Sequence, residues 1–234
     1  MIKKIIIAID GYSSTGKSTL AKMLSKHFNY RHINTGAMYR AVTLYALRNN
    51  WVKKINNKLV FNEDCILNSI DTLDLSFRLD GQQTYKMYIN DEDVDDEIKL
   101  EEVSSCVSQL SQSLLIRKKI VLMQQAMGVN KGIVMEGRDI GSVVFPNAEL
   151  KLFITASEEV RAARRHQELL RLGVQVSFQD IYDNLKMRDF SDSTRQNSPL
   201  IKVKDAVLID NTDLDLNAQF NLVLDIIKSK KNLL

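Results

Sequence analysis

Residues Gly11, Tyr12, Ser13, Ser14, Thr15, Gly16, Lys17 and Ser18 fit G-x-x-x-x-G-K-[ST] at every fixed position. The two glycines let the backbone curl until successive N–H groups point inward as a cradle for phosphate oxygens. Lys17 has the reach for β- and γ-phosphates, and the Ser18 hydroxyl suits Mg²⁺. With Thr19, these residues are the candidate triphosphate-binding segment, and ATP with Mg²⁺ is the expected cofactor pair. A phosphate loop alone does not name a reaction. The guanine-reading N-K-x-D is absent, because the pairs at Asn57 and Asn130 continue Lys58-Leu59-Val60 and Lys131-Gly132-Ile133. No aspartate has a glycine three residues later, so the GTPase switch motif is missing too. A small-molecule kinase and a nucleotide-binding regulator remain.

The loop needs a strand before it and a helix after it. Ile5-Ile6-Ile7-Ala8-Ile9 has no polar face, as a parallel strand covered on both sides requires. Leu20, Ala21, Leu24 and Phe28 follow at helical spacing. Further short apolar runs at Tyr30–Ile33, Ile133–Met135, Leu150–Ile154 and Ala206–Ile209 are separated by helix-length segments. That alternation predicts a parallel sheet with helices on both faces. Ser157 is the candidate N-cap of the helix after the fourth run. One segment breaks the rhythm: Leu73, Leu75, Phe77 and Leu79 alternate with polar residues, as do Tyr85, Met87 and Ile89 beyond a turn at Gly81-Gln82-Gln83. A period of two predicts an antiparallel hairpin with one solvated face. The acidic run Asp91–Glu97 reads as a solvated turn.

At 234 residues and 44% hydrophobic content the chain suits one sizeable α/β domain with an inserted subdomain. A net charge of +3 does not call for a nucleic-acid partner. Cys65 and Cys106 are isolated, and with His27, His32 and His166 far apart no zinc spacing arises. No run approaches a membrane span, and the apolar start is too short for an export signal. A cytoplasmic monomer that binds no nucleic acid and no membrane is expected.

Four more stretches matter: "NTGAMYRA" at 34, "EGRDIGSVVFPNA" at 136, "RAARRHQE" at 161 and "MRDFSDSTRQNSPL" at 187. Together with the loop, the chain from Ile5 to Asn211 resembles the bacterial cytidylate kinases, part of the nucleoside monophosphate kinase group. The resemblance implies a P-loop nucleoside monophosphate kinase fold with a five-stranded parallel sheet. The core would comprise residues 1–59 and 123–234, with a mobile lid near 157–171. A monophosphate-binding insert with the antiparallel hairpin would occupy 60–122. It further implies phosphorylation of CMP, and of dCMP, by ATP. Arg40, Arg138 and Arg195 would hold the acceptor phosphate, while Ser108, Arg117 and Asp139 face the cytosine with Thr35 close by. Arg188 and Asp192 would address the ribose, and Arg164 the donor nucleotide. Lys17, Arg138, Arg188 and Arg195 would carry the transfer.

Arginine's planar fork suits phosphate oxygens, and phosphoryl transfer needs cations spread over both polyanions. Gly137-Arg138-Asp139 directly follows a strand, where ligands of open α/β sheets bind. Arg138 could instead pair with Asp139. Arg161, Arg164 and Arg165 could equally be a solvated helix face paired with Glu158 and Glu168. Tyr39 is core or a base-stacking platform. The sequence departs from the resemblance at Tyr12, where proline is common, at Glu136, where aspartate is frequent, and at Ser191 and Ser193, where some relatives carry arginine. The alternatives are a kinase for another nucleotide, such as UMP, or a sensor without turnover.

Overall fold

The computed structural model describes residues 4–56, 58–171 and 173–230. From the N-terminus the elements are β1 (Ile6–Gly11), α1 (Lys17–Phe28), β2 (Arg31–Asn34), α2 (Thr35–Arg48), β3 (Val52–Ile55) and β4 (Lys58–Phe61). Then come α3 (Glu63–Ile70), β5 (Leu75–Leu79), β6 (Tyr85–Ile89), β7 (Glu92–Asp93), α4 (Glu101–Leu110) and α5 (Leu114–Met127). The chain closes with β8 (Ile133–Gly137), β9 (Leu150–Thr155), α6 (Glu158–Arg171), α7 (Phe178–Thr194), β10 (Val207–Asp210) and α8 (Leu216–Ser229). A π-helical turn, Ile140–Val144, follows β8.

Two compact units result, one of residues 1–32 and 130–234, the other of residues 33–129. The five-stranded parallel sheet runs β10-β9-β1-β8-β2. All five strands lie where the apolar runs predicted, within about two residues at either end. Ile5, Ile7 and Ile9 pack with Leu20 and Leu24 of α1 and with Val223 and Ile227 of α8. Ile6 and Ala8, on the opposite face of β1, are buried as well. Ser157 does cap α6, accepting from the Val160 N–H at 3.3 Å. Helices α6 and α7 share a small core of Ala162, Ile181 and Leu185, with Leu169, Val176 and Tyr182 against it.

The second unit has its own core, in which Met38, Val42 and Ala46 of α2 join Ile66, Ile70, Met87, Val103 and Ile120. The segment 60–122 lies inside this unit together with α2. The predicted hairpin is β5–β6, with Leu75, Met87 and Ile89 buried and Leu79 exposed. Its turn is held by Asp80, whose Oδ1 accepts from the N–H groups of Gln82 and Thr84. The acidic run is more structured than a solvated turn. It supplies β7 and buries Val94, and its carboxylates pair with Arg48, Lys86 and Lys99. A second hairpin, β3–β4, had no clear sequence signal, because its strands are four residues each and largely solvated.

Gly11 ends β1 opposite Ile154 of β9. Its φ is +147°, and a Cβ there would lie 2.1 Å from the Ile154 carbonyl oxygen, which is backbone and cannot move aside. Gly11→Ala should therefore lower the unfolding free energy by more than about 4 kcal/mol, in the range reserved for such clashes. Gly81→Ala, with open space around its site, is the control. Urea unfolding measures both. A loss within about 1 kcal/mol at Gly11, the ordinary effect of a substitution, would contradict the close approach.

Candidate functional site

The loop between β1 and α1 leaves the helix entrance open to an anion. Gly16 takes the N-cap position with φ 78°, no side chain caps the first turn, and no acidic residue sits in it. Unpaired N–H groups and the positive end of the helix dipole remain available there. Ser14 is also left-handed, at φ 58°.

Three peptides of the loop are held in place, one by the loop's own side chains and two by carbonyl partners from outside it. The Tyr12 carbonyl accepts from Lys17 Nζ and from Thr15 Oγ1 at 3.0 Å. The Ser13 N–H donates to Asp189 Oδ1 at 3.4 Å, while its carbonyl accepts from Arg161 Nη1 at 3.3 Å. Arg161 and Asp189 pair directly, and both are buried. The Thr15 carbonyl accepts from Asn211 Nδ2 at 2.7 Å. Tyr12 is no loose replacement for proline. Its ring meets Phe153 edge-on at 5.8 Å, and the Arg161 guanidinium lies over it at 5.3 Å.

Beside the loop stands a cluster of cations with interleaved carboxylates. Arg138 donates from Nε to Asp192 Oδ2 at 2.7 Å and from Nη2 to Ser13 Oγ at 2.8 Å. Arg195 approaches Asp192 from the other side, at 3.7 Å. Burial alone would raise the Asp192 pKa, but the charge and hydrogen bond of Arg138, with Arg195 and Arg188, hold it below its usual value. Arg138 thus pairs with Asp192 rather than forming a simple surface pair with its neighbour Asp139, which is itself buried. Ser18 Oγ donates to Glu136 Oε2 at 2.7 Å, and His32 Nε2 meets Glu136 Oε1 at 2.9 Å. Burial pushes Glu136 up, yet His32, Ser18 and Lys17 together keep it below the ordinary carboxylate value.

Burial pushes the Lys17 ammonium down to about 7, with the positive charge of Arg138 adding to the effect and Glu136, Asp10 and Asp192 opposing it. Burial pushes Asp10 up to about 6, against the N–H groups of Gly141 and Ile140 that its carboxylate accepts at 2.7 and 2.8 Å. Asp10 thereby anchors the start of the π-helical turn that follows Arg138 and Asp139.

Arg161, Arg164 and Arg165 of α6 part company. Arg165 pairs with Glu168 on the solvated face at 2.7 Å. Arg164 donates to both the side-chain and backbone oxygens of Asn211, at 2.9 and 2.8 Å. Arg161 is the buried partner of Asp189. Sequence reasoning missed Asp189, His32, Asn211 and the role of Arg161. The contacts that bring them into the site, Arg161 with Asp189, His32 with Glu136 and Asn211 with Thr15, join residues between 28 and 196 positions apart, beyond any local pattern.

In the second unit, Thr35 is buried at the start of α2, and Arg40 donates to Ile98 O at 3.1 Å and Ser104 Oγ at 2.7 Å. Arg117, buried on α5, donates to Ser111 O at 3.0 Å and lies over the Tyr39 ring at 5.2 Å. Tyr39 is accordingly a buried platform for a guanidinium. Ser108 is exposed on α4.

A family model described as Cytidylate kinase matches residues 7–229. A protein named Cytidylate kinase from Flavobacterium psychrophilum is 47% identical over 97% of this chain and 100% of its own length. One of the same name from Parabacteroides distasonis is 48% identical over 93% of this chain and 94% of its own. An uncharacterized protein from Eubacterium ventriosum, 13% identical, shares the fold with a TM-score of 0.53 over 97% of this chain and 100% of that one.

A lysine with a pKa near 7 is mostly neutral at pH 8. Bringing triphosphate oxygens beside it favours the charged form and raises its pKa. Binding of ATP at pH 8 should therefore take up close to one proton. Titration calorimetry in buffers of differing ionisation enthalpy measures that uptake. It should vanish in Lys17→Met, and a wild-type value near zero would refute the depressed lysine.

Proposed function

The chain belongs to the cytidylate kinase family, and from that membership we infer that it carries out ATP-dependent phosphorylation of CMP to CDP. The observation that carries this reading is the near-full-length match at almost half identity, joined to a phosphate loop flanked by Arg138, Asp192 and Arg195. We extend the reading to dCMP as a second acceptor and to direct in-line transfer without a covalent enzyme intermediate. A cytoplasmic, monomeric enzyme fits it.

The acceptor phosphate is already anionic, so no strong base is needed, and positioning with charge neutralisation carries the chemistry. In this proposal Gly11 to Thr19 cradle the donor phosphates through backbone N–H groups. Lys17 stabilises charge on the transferring group, and Arg164 borders the donor nucleotide. Arg40, Arg138 and Arg195 hold the acceptor phosphate, with Arg188 adding charge for the transition state. Arg188 and Asp192 address the ribose. Asp139, Arg117 and Ser108 read the base, with Thr35 beside them. The paired arginines and carboxylates are set before substrates arrive, which limits reorganisation during transfer. The lid near 157–171 would close over the donor and keep water from the phosphoryl group.

Ser18 Oγ and Glu136 Oε2 are hard oxygens 2.7 Å apart, a donor set suited to Mg²⁺, which takes few protein ligands. Ser18 would hold the ion, with Glu136 next to it. Held there, Mg²⁺ would supply positive charge that offsets part of the charge on the donor phosphates.

Lys17→Ala should lower kcat by roughly a hundredfold or more, the scale of a lost electrostatic stabiliser, with the fold retained. Near-normal turnover of the folded variant would defeat the phosphate-loop reading. Base choice gives a second test. Cytosine offers an amino donor beside a ring-nitrogen acceptor, and uracil offers the reverse. A carboxylate at Asp139 accepts from the cytosine amino group but meets a carbonyl oxygen on uracil, in a desolvated position. CMP should be preferred to UMP by on the order of a thousandfold in kcat/KM. Asp139→Ala should cost mainly CMP activity and narrow that ratio. Equal use of CMP and UMP in a coupled ADP-release assay would remove the cytidylate assignment.

A further inference from the structure

Asn211 follows β10 and is almost completely buried. Its backbone N–H donates to Thr155 O at 2.9 Å, which fixes it to the end of β9. Its side-chain amide then serves three elements at once. Nδ2 donates to the Thr15 carbonyl of the phosphate loop at 2.7 Å and to Gln219 Oε1 of α8 at 3.0 Å. Oδ1 accepts from Arg164 Nη1 of α6 at 2.9 Å, and its backbone oxygen accepts from Arg164 Nη2 at 2.8 Å. Only an amide has this combination: two N–H groups for two acceptors and an oxygen for a guanidinium.

These contacts have a directional consequence. A trans peptide holds its C=O and the next N–H on opposite sides. Pinning the Thr15 carbonyl to Asn211 therefore aims the Gly16 N–H away from Asn211. Arg164, for its part, spends both terminal nitrogens on Asn211, so its guanidinium plane is set by that residue. Thr15, Gly16, Arg164, Asn211, Asp215 and Gln219 also line a half-open cavity of about 510 Å³, within the range of nucleotide-sized pockets. Gln219 Nε2 is buried there with no hydrogen-bond partner, and its orientation is fixed because Oε1 takes the Asn211 proton.

We propose that Asn211 is a positioning residue for the donor nucleotide. It sets the Thr15–Gly16 peptide and the Arg164 guanidinium together, so that loop, lid helix and the cavity beside them receive the donor as one unit. The proposal rests on the reading of ATP as donor. It adds the statement that donor and acceptor affinities are separable at this one side chain.

The test compares Asn211→Ala, Arg164→Ala and the double variant with the wild type, by steady-state kinetics and by calorimetric titration of ATP alone. Asn211→Ala should raise the KM and the Kd for ATP about tenfold while the KM for CMP stays within about twofold, the scale of lost charge-assisted hydrogen bonds. Because part of the Asn211 effect runs through Arg164 and part through the Thr15 carbonyl, the double variant should be worse than either single but clearly short of the product of the two single effects. Asn211→Ser keeps a hydroxyl donor and is read in place of Asn211→Ala if that variant fails to fold by thermal melt. An unchanged ATP affinity, an equal rise in both KM values, or single effects that multiply in the double variant would each overturn the proposal. If wild-type protein binds ATP yet does not phosphorylate CMP, the family-based reading fails instead, and the ATP titrations still decide the role of Asn211.

Discussion

A loop that offers N–H groups to phosphate must hold its carbonyls from behind, because a trans peptide points the two in opposite directions. Much of what surrounds residues 11–18 answers that constraint. Arg161 takes the Ser13 carbonyl and Asn211 the Thr15 carbonyl, which turns the Ser14 and Gly16 N–H groups the other way. The intervening glycine and the left-handed Ser14 supply the backbone angles this requires. The Tyr12 carbonyl faces the opposite direction, and its negative end is met by Lys17 and the Thr15 hydroxyl. Its peptide partner, the Ser13 N–H, accordingly points outward to Asp189. Two of these holders, Arg161 and Asp189, belong to α6 and α7. The geometry of the loop is in this way tied to α7 and to α6, the helix expected to act as a lid.

Collecting cations for two polyanions creates the second difficulty. Burial of Lys17 weakens its ammonium to about 7, and the nearby charge of Arg138 adds to that cost. Carboxylates relieve the strain without neutralising the site. Asp192 lies between Arg138 and Arg195, and Glu136 sits between Ser18 and His32. Breaking one such pair leaves a buried charge alone, which costs far more than the pair contributes. In the proposed reaction, incoming phosphate would meet cations that are already aligned by their carboxylate partners.

The fold was largely legible because its signals are local. An apolar run with no polar face, Ile5–Ile9, must be covered on both sides, and it and the four other runs set between helix-length segments became strands of the parallel sheet. The period-two segment became a hairpin for the same kind of reason. Short solvated strands such as β3, β4 and β7 carry too few buried positions for any period to show. In the site, the phosphate loop was legible because its spacing is fixed by one ligand-binding turn. Arg165, Arg164 and Arg161 of α6 were not, since three identical side chains within one helix have three different fates: solvent, Asn211 and Asp189. Helical spacing shows which residues share a face. It does not show which oxygen a distant strand end or helix brings to that face.

Two of the departures from the resembled pattern, Tyr12 and Glu136, are explained by compensation nearby. Tyr12, in place of a proline, lacks a locked φ, and the loop is stiffened instead by packing: Phe153 at the edge of its ring and Arg161 over the face. Glu136 has one more methylene than aspartate, so its carboxylate must be fixed at greater reach and with more rotamers to exclude. Both of its oxygens are taken, one by the Ser18 hydroxyl and the other by His32 from β2. A histidine in a short sheet strand would otherwise be a buried polar group without purpose, and burial without a partner is costly. Here the longer acid and the buried imidazole satisfy one another. His32 and Glu136 are therefore best understood as a coupled pair of residues: replacing either alone strands a polar group in the core, whereas the pair together leaves the serine hydroxyl of the phosphate loop held in one place.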